Sequence, residues 1–196
     1  MQDPEYIKRY NIIDMGLGFS AMIRNFVKGS KDVKGSKDVK GSKEKLHGKI
    51  MEDIERIFMA TTKATFDEIH ATFCKWGVKN IVLAERVRDG KVIKKSGPAS
   101  YGQIAKTLDV VLKVAIYYSY LPNCETAKIL MPLLNAALDT EMMKMLGRPG
   151  TVEAVDEEKY FRLQEIVRQF IIDKHNGQIM PVQFDDIYWK QLNRDQ

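Results

Sequence analysis

The stretch SYGQIAKTLDVVLKVAIYYSY, residues 100–120, decides the reading of the fold. Ser100 and Gln103 stand in the S-x-x-Q relation of a capping box, in which each side chain satisfies an amide that the first helical turn leaves unpaired. Behind them runs the most hydrophobic segment of the chain, ended by Leu121-Pro122. Lys106, Asp109 and Lys113 interrupt it, so it falls short of the roughly 20 predominantly apolar residues that span a bilayer. The spacing predicts a buried helix from Tyr101 to about Tyr120. The expected fold is an all-α, single-domain, multi-helix bundle of about seven to nine helices packed around it.

Working outward, Asp3 and Pro4 suit the N-cap and first position of an opening helix. Tyr6, Ile7, Tyr10 and Ile13, then Phe19, Met22, Ile23 and Phe26, recur at helical spacing, and Gly16 with Gly18 predicts a break between two segments. Gly16 to Ala21 also matches the loose dinucleotide pattern G-x-G-x-x-A. That reading is rejected, because the strand and ribose-binding acid it requires fall where a tandem repeat sits. The repeat is KGSKDV at 28–33 and 34–39, with a partial copy from Lys40. Its period of six fits neither helix nor strand, and Val33 and Val39 offer too little burial to offset ordering entropy. The expected organisation is an N-terminal helical segment over 1–27, a flexible linker over 28–45, and a main helical domain over 46–196 onto which 1–27 packs.

The repeat also explains the charge. The chain carries +5, but Lys28 to Lys45 hold seven lysines against Asp32, Asp38 and Glu44, and the other residues carry 24 basic against 23 acidic groups. The pI near 9.0 is therefore a property of one segment and no sign of a basic surface elsewhere. Two cysteines, Cys74 and Cys124, exclude a disulfide framework and fit a reducing compartment. No secretory signal opens the sequence, so a cytoplasmic protein with no membrane association is expected.

Downstream of the repeat, Leu46, Ile50, Ile54, Ile57 and Phe58 mark one helix, and Phe66, Ile69, Phe73 and Trp76 a second, closed by Gly77. Residues 81–95 admit two readings. Asp89-Gly90 between Val82/Leu83/Val87 and Val92/Ile93 signals a β-hairpin, while Asn80 is able to cap a short helix ending at Gly90; the helix with an extended tail is preferred. After the central helix, Asn123 caps the next helix, Pro132 breaks or restarts it, and Asp139 or Thr140 opens a Met-rich helix closed by Gly147. Asp156 starts an amphipathic helix ending around Asn176-Gly177. Asp185 is read as the cap of the last helix, with Phe184 and Trp189 as a hydrophobic staple.

Chemistry is most legible at the entrance to the central helix. Lys94 and Lys95 precede the Ser100 cap, and Lys106 follows it by a turn. Unpaired amides, helix dipole and ammonium groups together suit an anion, although the Walker spacing is absent. Lys94, Lys95, Ser100, Lys106 and Lys113 are thus the candidate phosphate or nucleic-acid ligands. Lys106, Asp109 and Lys113 share one helix face, read as a solvent edge held by ion pairs in preference to a polar seam facing a groove. Tyr101 to Val110 resembles the first helix and turn of a helix-turn-helix, but Val111 to Tyr118 offers base edges only Lys113 and tyrosine hydroxyls. The fragment Tyr101 to Ala105 is likewise similar to the DNA-binding half of alkylguanine-DNA alkyltransferases, with no Pro-Cys-His-Arg following; a continuous core helix is the better reading of both.

Asp67, His70 and Cys74 share a helix face at metal-ligand spacing, but no second ligand pair accompanies them, so no metal or other cofactor is expected. The carboxylate candidates Glu52/Glu55, Asp185/Asp186 and Asp173 with His175 each sit on a polar face or at a helix end, and no catalytic residue is assigned. Met131, Met142, Met143 and Met145 are read as core gap-fillers. The expected function is a non-catalytic protein that associates with nucleic acid or binds a phosphorylated ligand. The alternatives are a protein-interaction or homo-oligomeric scaffold, and a hydrolase with a carboxylate site.

Overall fold

Ser100 and Gln103 close the capping box as their spacing requires: the Gln103 amide donates to Ser100 Oγ at 3.4 Å, and the Ser100 amide donates to Gln103 Oε1 at 2.9 Å. From that cap α4 runs over Tyr101–Leu112 and continues as a π-helical turn over Lys113–Tyr118. The computed structural model describes residues 3–20, 41–89 and 91–192. Around α4 lie α1 (Pro4–Phe19), α2 (Ser42–Phe58), α3 (Lys63–Asn80), α5 (Cys124–Leu130), α6 (Thr140–Met145), α7 (Glu157–His175) and α8 (Pro181–Leu192). Short 3-10 turns occupy Met131–Leu133 and Val152–Ala154. The fold is all-α, with two short antiparallel strand pairs: β1 (Val82–Leu83) with β4 (Gly97–Pro98), and β2 (Arg86–Arg88) with β3 (Lys91–Lys94).

The core is one cluster. Ile104, Leu108, Val111, Leu112 and Ile116 of the central rod are shielded from solvent, as are Ile50, Ile54 and Ile57 of α2 and Phe66 and Phe73 of α3. Each of these helices has a buried stripe at i, i+3/i+4 spacing, and pooling the stripes removes apolar surface from water at about 25 cal/mol per Å². Met131, Met142 and Met143 are part of this core, as expected of gap-fillers.

Four expectations are corrected. Gly16 does not break α1; the helix passes through it and crosses α4 there, so that a Cβ on Gly16 would lie 3.1 Å from the Val111 Cα. The glycine serves close approach of two backbones instead of a bend. The expected continuation over 21–27 lies outside the described residues. So does most of the repeat, but its partial copy does not: α2 begins at Ser42, whose buried hydroxyl donates to the Val82 carbonyl at 2.7 Å, so 42–45 belong to a helix and not to a linker.

Residues 81–95 are strands and not a short helix. Val87 pairs with Val92 and Arg88 with Lys91 around the Asp89 turn, where φ is +52°. Finally, α8 begins at Pro181, which suits a first helical position, and Gln183 accepts the Met180 amide at 2.8 Å. Asp185 is therefore inside the helix, where it is available to a partner, and Phe184 is buried against Phe170 instead of standing before a cap.

No helix among the described residues is long and apolar enough to cross a membrane.

Candidate functional site

At the α4 entrance the Gly102 and Gln103 amides are already satisfied within the chain. The Gly102 amide donates to the Val155 carbonyl at 2.9 Å, and a Cβ on Gly102 would lie 2.4 Å from the Val152 carbonyl oxygen, so the 152–155 segment seals this end of the helix. Glu153 stands at the same place, accepting from Gln103 Nε2 at 3.2 Å and bridging Lys94 Nζ at 2.5 Å. Lys95 is exposed, on the chain leading from β3. Lys106 and Lys113 lie further along α4, where the amino groups meet other carboxylates: Lys106 faces Asp139 at 3.5 Å, and Lys113 faces Asp185 at 2.9 Å and Asp186 at 2.6 Å. The five residues do not converge. Ser100 and Lys94 meet the 152–155 segment, whereas Lys106 and Lys113 line a separate cleft.

That cleft is about 680 Å³ and lies between α1, the α4 rod with its π turn, and α8. Met15 and Phe19 of α1 with Val110 and Val114 form its apolar walls; Met15 and Phe19 are 47% and 68% exposed. The polar wall comes from three elements, Lys106 and Lys113 on the rod, Asp139 at the cap of α6, and Asp185 with Asp186 on α8. Lys106, Val110, Lys113 and Val114 sit at i, i+4, i+7 and i+8, one face of the rod. Asp109 points elsewhere, so the three charges expected to share a solvent edge divide: Lys113 and Asp109 are buried, and each is paired with a different helix. A charge on a buried helix requires such a partner.

The π turn is what assembles the polar corner. In an α-helix residues i and i+5 diverge, whereas a wider turn brings them together. Here the Lys113 ammonium lies 5.8 Å from the Tyr118 ring centroid, and both side chains reach Asp186, Lys113 on Oδ1 and the Tyr118 hydroxyl donating to Oδ2 at 2.6 Å. Burial raises Asp185 above the ordinary carboxylate range in spite of Lys113, and burial together with Asp186 pushes the Tyr118 phenol up.

A second polar constellation is sealed in the core. Tyr160 donates to both carboxylate oxygens of Asp109, at 3.0 and 2.8 Å, and stacks on His70 with 5.0 Å between ring centroids. His70 Nε2 bonds Asp109 Oδ1 at 3.0 Å, and His70 Nδ1 lies 3.7 Å from Cys74 Sγ. Burial opposes the imidazolium, but the Cys74 sulfur and the Asp109 carboxylate more than offset it and raise His70 to about 10. Burial pushes the Cys74 thiol and the Asp109 carboxyl up in turn. Burial holds the sulfur as a thiol, so near neutral pH it is Asp109 that keeps His70 raised.

The order Cys–His–Asp is that of a nucleophilic triad, yet Cys74 is wholly buried and its thiol is held protonated, the opposite of an activated nucleophile. Of the three residues at metal-ligand spacing, Asp67 is bridged by Lys63, whereas His70 and Cys74 meet each other in the core. No group of three or more metal-ligating side chains occurs among the described residues.

The carboxylates named earlier also have local duties. Glu52 and Glu55 meet Lys49 and Arg9, Asp173 accepts from Gln169, and His175 contacts the Tyr188 hydroxyl. Sequence reasoning passed over Asp139, Tyr118 and the α1 residues of the cleft, and it missed Asp109 and Tyr160 as partners of His70. The one signal in their favour was that Asp109 and Lys113 interrupt an apolar helix.

No protein-family model, curated protein or solved structure matches the chain.

Proposed function

We propose that the protein binds a small amphipathic molecule in the cleft between α1, the α4 rod and α8. One observation carries this reading: a cleft of about 680 Å³ with exposed apolar walls and a few convergent polar groups, built beside a π turn. Small-molecule sites typically occupy about 300–1,000 Å³ with that composition, and π turns recur at functional sites. Titration with Nile red, a neutral amphipathic dye, tests it. A single saturable site is expected, weakened at least about tenfold in Val110→Trp, which fills the cleft, and in Phe19→Ser, which removes an apolar wall. Unsaturable dye binding, or binding that both variants leave unchanged, refutes the proposal.

A second reading, contact with a nucleic-acid backbone, is supported by the β2–β3 hairpin, where Arg86 and Lys91 are exposed and Lys95 follows directly. Two-stranded ribbons fit a major groove, and lysine contacts to phosphates release counterions. Fluorescence anisotropy with a labelled DNA duplex tests it: binding that falls steeply with salt and is lost in Lys91→Glu/Lys95→Glu supports this reading, and salt-independent or unaffected binding removes it.

A further inference from the structure

The charges around the cleft select among amphipathic molecules, and we propose that the molecule bound there is an organic monocation, an apolar body carrying one protonated amine. This inference rests on the cleft being a ligand site. Two lysines and three aspartates line it, leaving one net negative charge. Neither lysine offers an anion an unopposed charge. The Lys113 ammonium is bracketed by Asp185 and Asp186, so an incoming phosphate or carboxylate would displace one of those acids and then face it. Lys106 is held by Asp139, whose other oxygen caps the Met142 amide at 2.9 Å.

Acceptors, in contrast, remain. Lys113 and a backbone amide bond the Asp185 carboxylate, and no other side chain among the described residues does. Asp139 meets Lys106 at 3.5 Å, a loose contact that leaves room for a second donor.

The aromatic groups agree with the charges. Phe19 and Tyr118 both line the cleft, exposed by 68% and 55%, and the Tyr118 ring already seats one cation, Lys113, at 5.8 Å. A second exposed ring, Phe19, adds a surface on which an ammonium and its alkyl or aryl body both rest favourably. The carboxylates also act against the wrong ligand, since a like charge brought into a partly buried site is disfavoured as strongly as the right one is favoured.

The experiment is equilibrium titration of the full chain, near physiological salt, with three matched fluorophores: dansylcadaverine (cationic), dansylamide (neutral) and dansylglycine (anionic). The expected result is that the cation binds at least about tenfold more tightly than the anion, with the neutral probe between them. Asp185→Asn keeps the side chain's shape but removes its charge, so it is expected to bring the cation–anion ratio toward unity. Should that variant fail to fold, judged by its circular dichroism melt, the ratio on the unaltered protein decides alone.

The outcomes separate the two readings. Dansylamide binding with the anion equal to or tighter than the cation overturns the monocation and leaves the ligand cleft standing. Failure of both dansylamide and dansylcadaverine overturns both. So does a concentration-dependent dimer by light scattering that Phe19→Ser dissociates, because the apolar walls then serve a second copy of the chain.

Discussion

Moving from about pH 6 to about pH 9 is expected to destabilise the fold, with His70 carrying a distinct share of the loss. His70 titrates near 6.5 in an unfolded chain and is raised to about 10 in the core. A group whose folded pKa is raised contributes its full stabilisation below the unfolded value and surrenders it as pH climbs to the folded one. Over the window from about pH 6 to about pH 9 the linkage amounts to at most about 3 kcal/mol, a large part of the roughly 5–15 kcal/mol that holds a typical domain folded.

The assay is urea unfolding followed by tryptophan fluorescence at several pH values, on the native chain and on His70→Gln. The variant is expected to be the less stable at about pH 6, because Asp109 is left buried with Tyr160 as its remaining partner, and the gap is expected to narrow as pH rises. A gap that stays constant across the window would show that His70 enters the core uncharged, and the argument for a sealed imidazolium–carboxylate pair would fall.

Three further outcomes follow from packing and pairing. The Tyr101 hydroxyl is buried with only the weakly bonding Cys74 sulfur as a partner among the described residues, so Tyr101→Phe is expected to leave stability unchanged or to raise it by about 1 kcal/mol in thermal melts. Gly102→Ala forces a methyl against the Val152 carbonyl and is expected to remove about 2–3 kcal/mol, whereas Gly18→Ala, with nothing within 4 Å, is expected to be neutral or to add up to about 1 kcal/mol; urea midpoints compare them. Lys113→Met leaves Asp185 and Asp186 facing each other and is expected to lower stability by about 2–3 kcal/mol at neutral pH. That loss is expected to shrink as the medium is acidified and the aspartates protonate, which chemical denaturation at two pH values measures.

What the sequence disclosed and what it withheld divide along the range of the interactions. The Ser100–Gln103 box, the Asp3, Asn123, Asp139 and Asp156 caps, and the end of α7 around Asn176 were all legible, because a cap is decided by residues three or four apart. The Asp89 hairpin was visible as an alternative, but local propensity alone does not decide between strand and helix in so short a segment. Gly16 was misread because the Val111 backbone it admits is far away in sequence, and Asp185 because its partner lies on another helix.

The cleft was hidden for the same reason. Lys106 and Lys113 were picked out for their charge, but the aspartates that change their meaning come from α6 and α8. Helical periodicity reports which face of an element is buried and says nothing of which neighbour covers it.

The placement of α8 has a consequence for the whole molecule. Two of the three acids bordering the cleft ride on this last helix, and Lys113 is the clasp that holds them. On the reading of the cleft as a ligand site, docking of this helix and occupancy of the cleft are therefore linked equilibria. Whatever settles between Phe19 and Asp185 tightens the grip on the carboxy-terminal helix, and by reciprocity a hand that peels that helix away also empties the chamber.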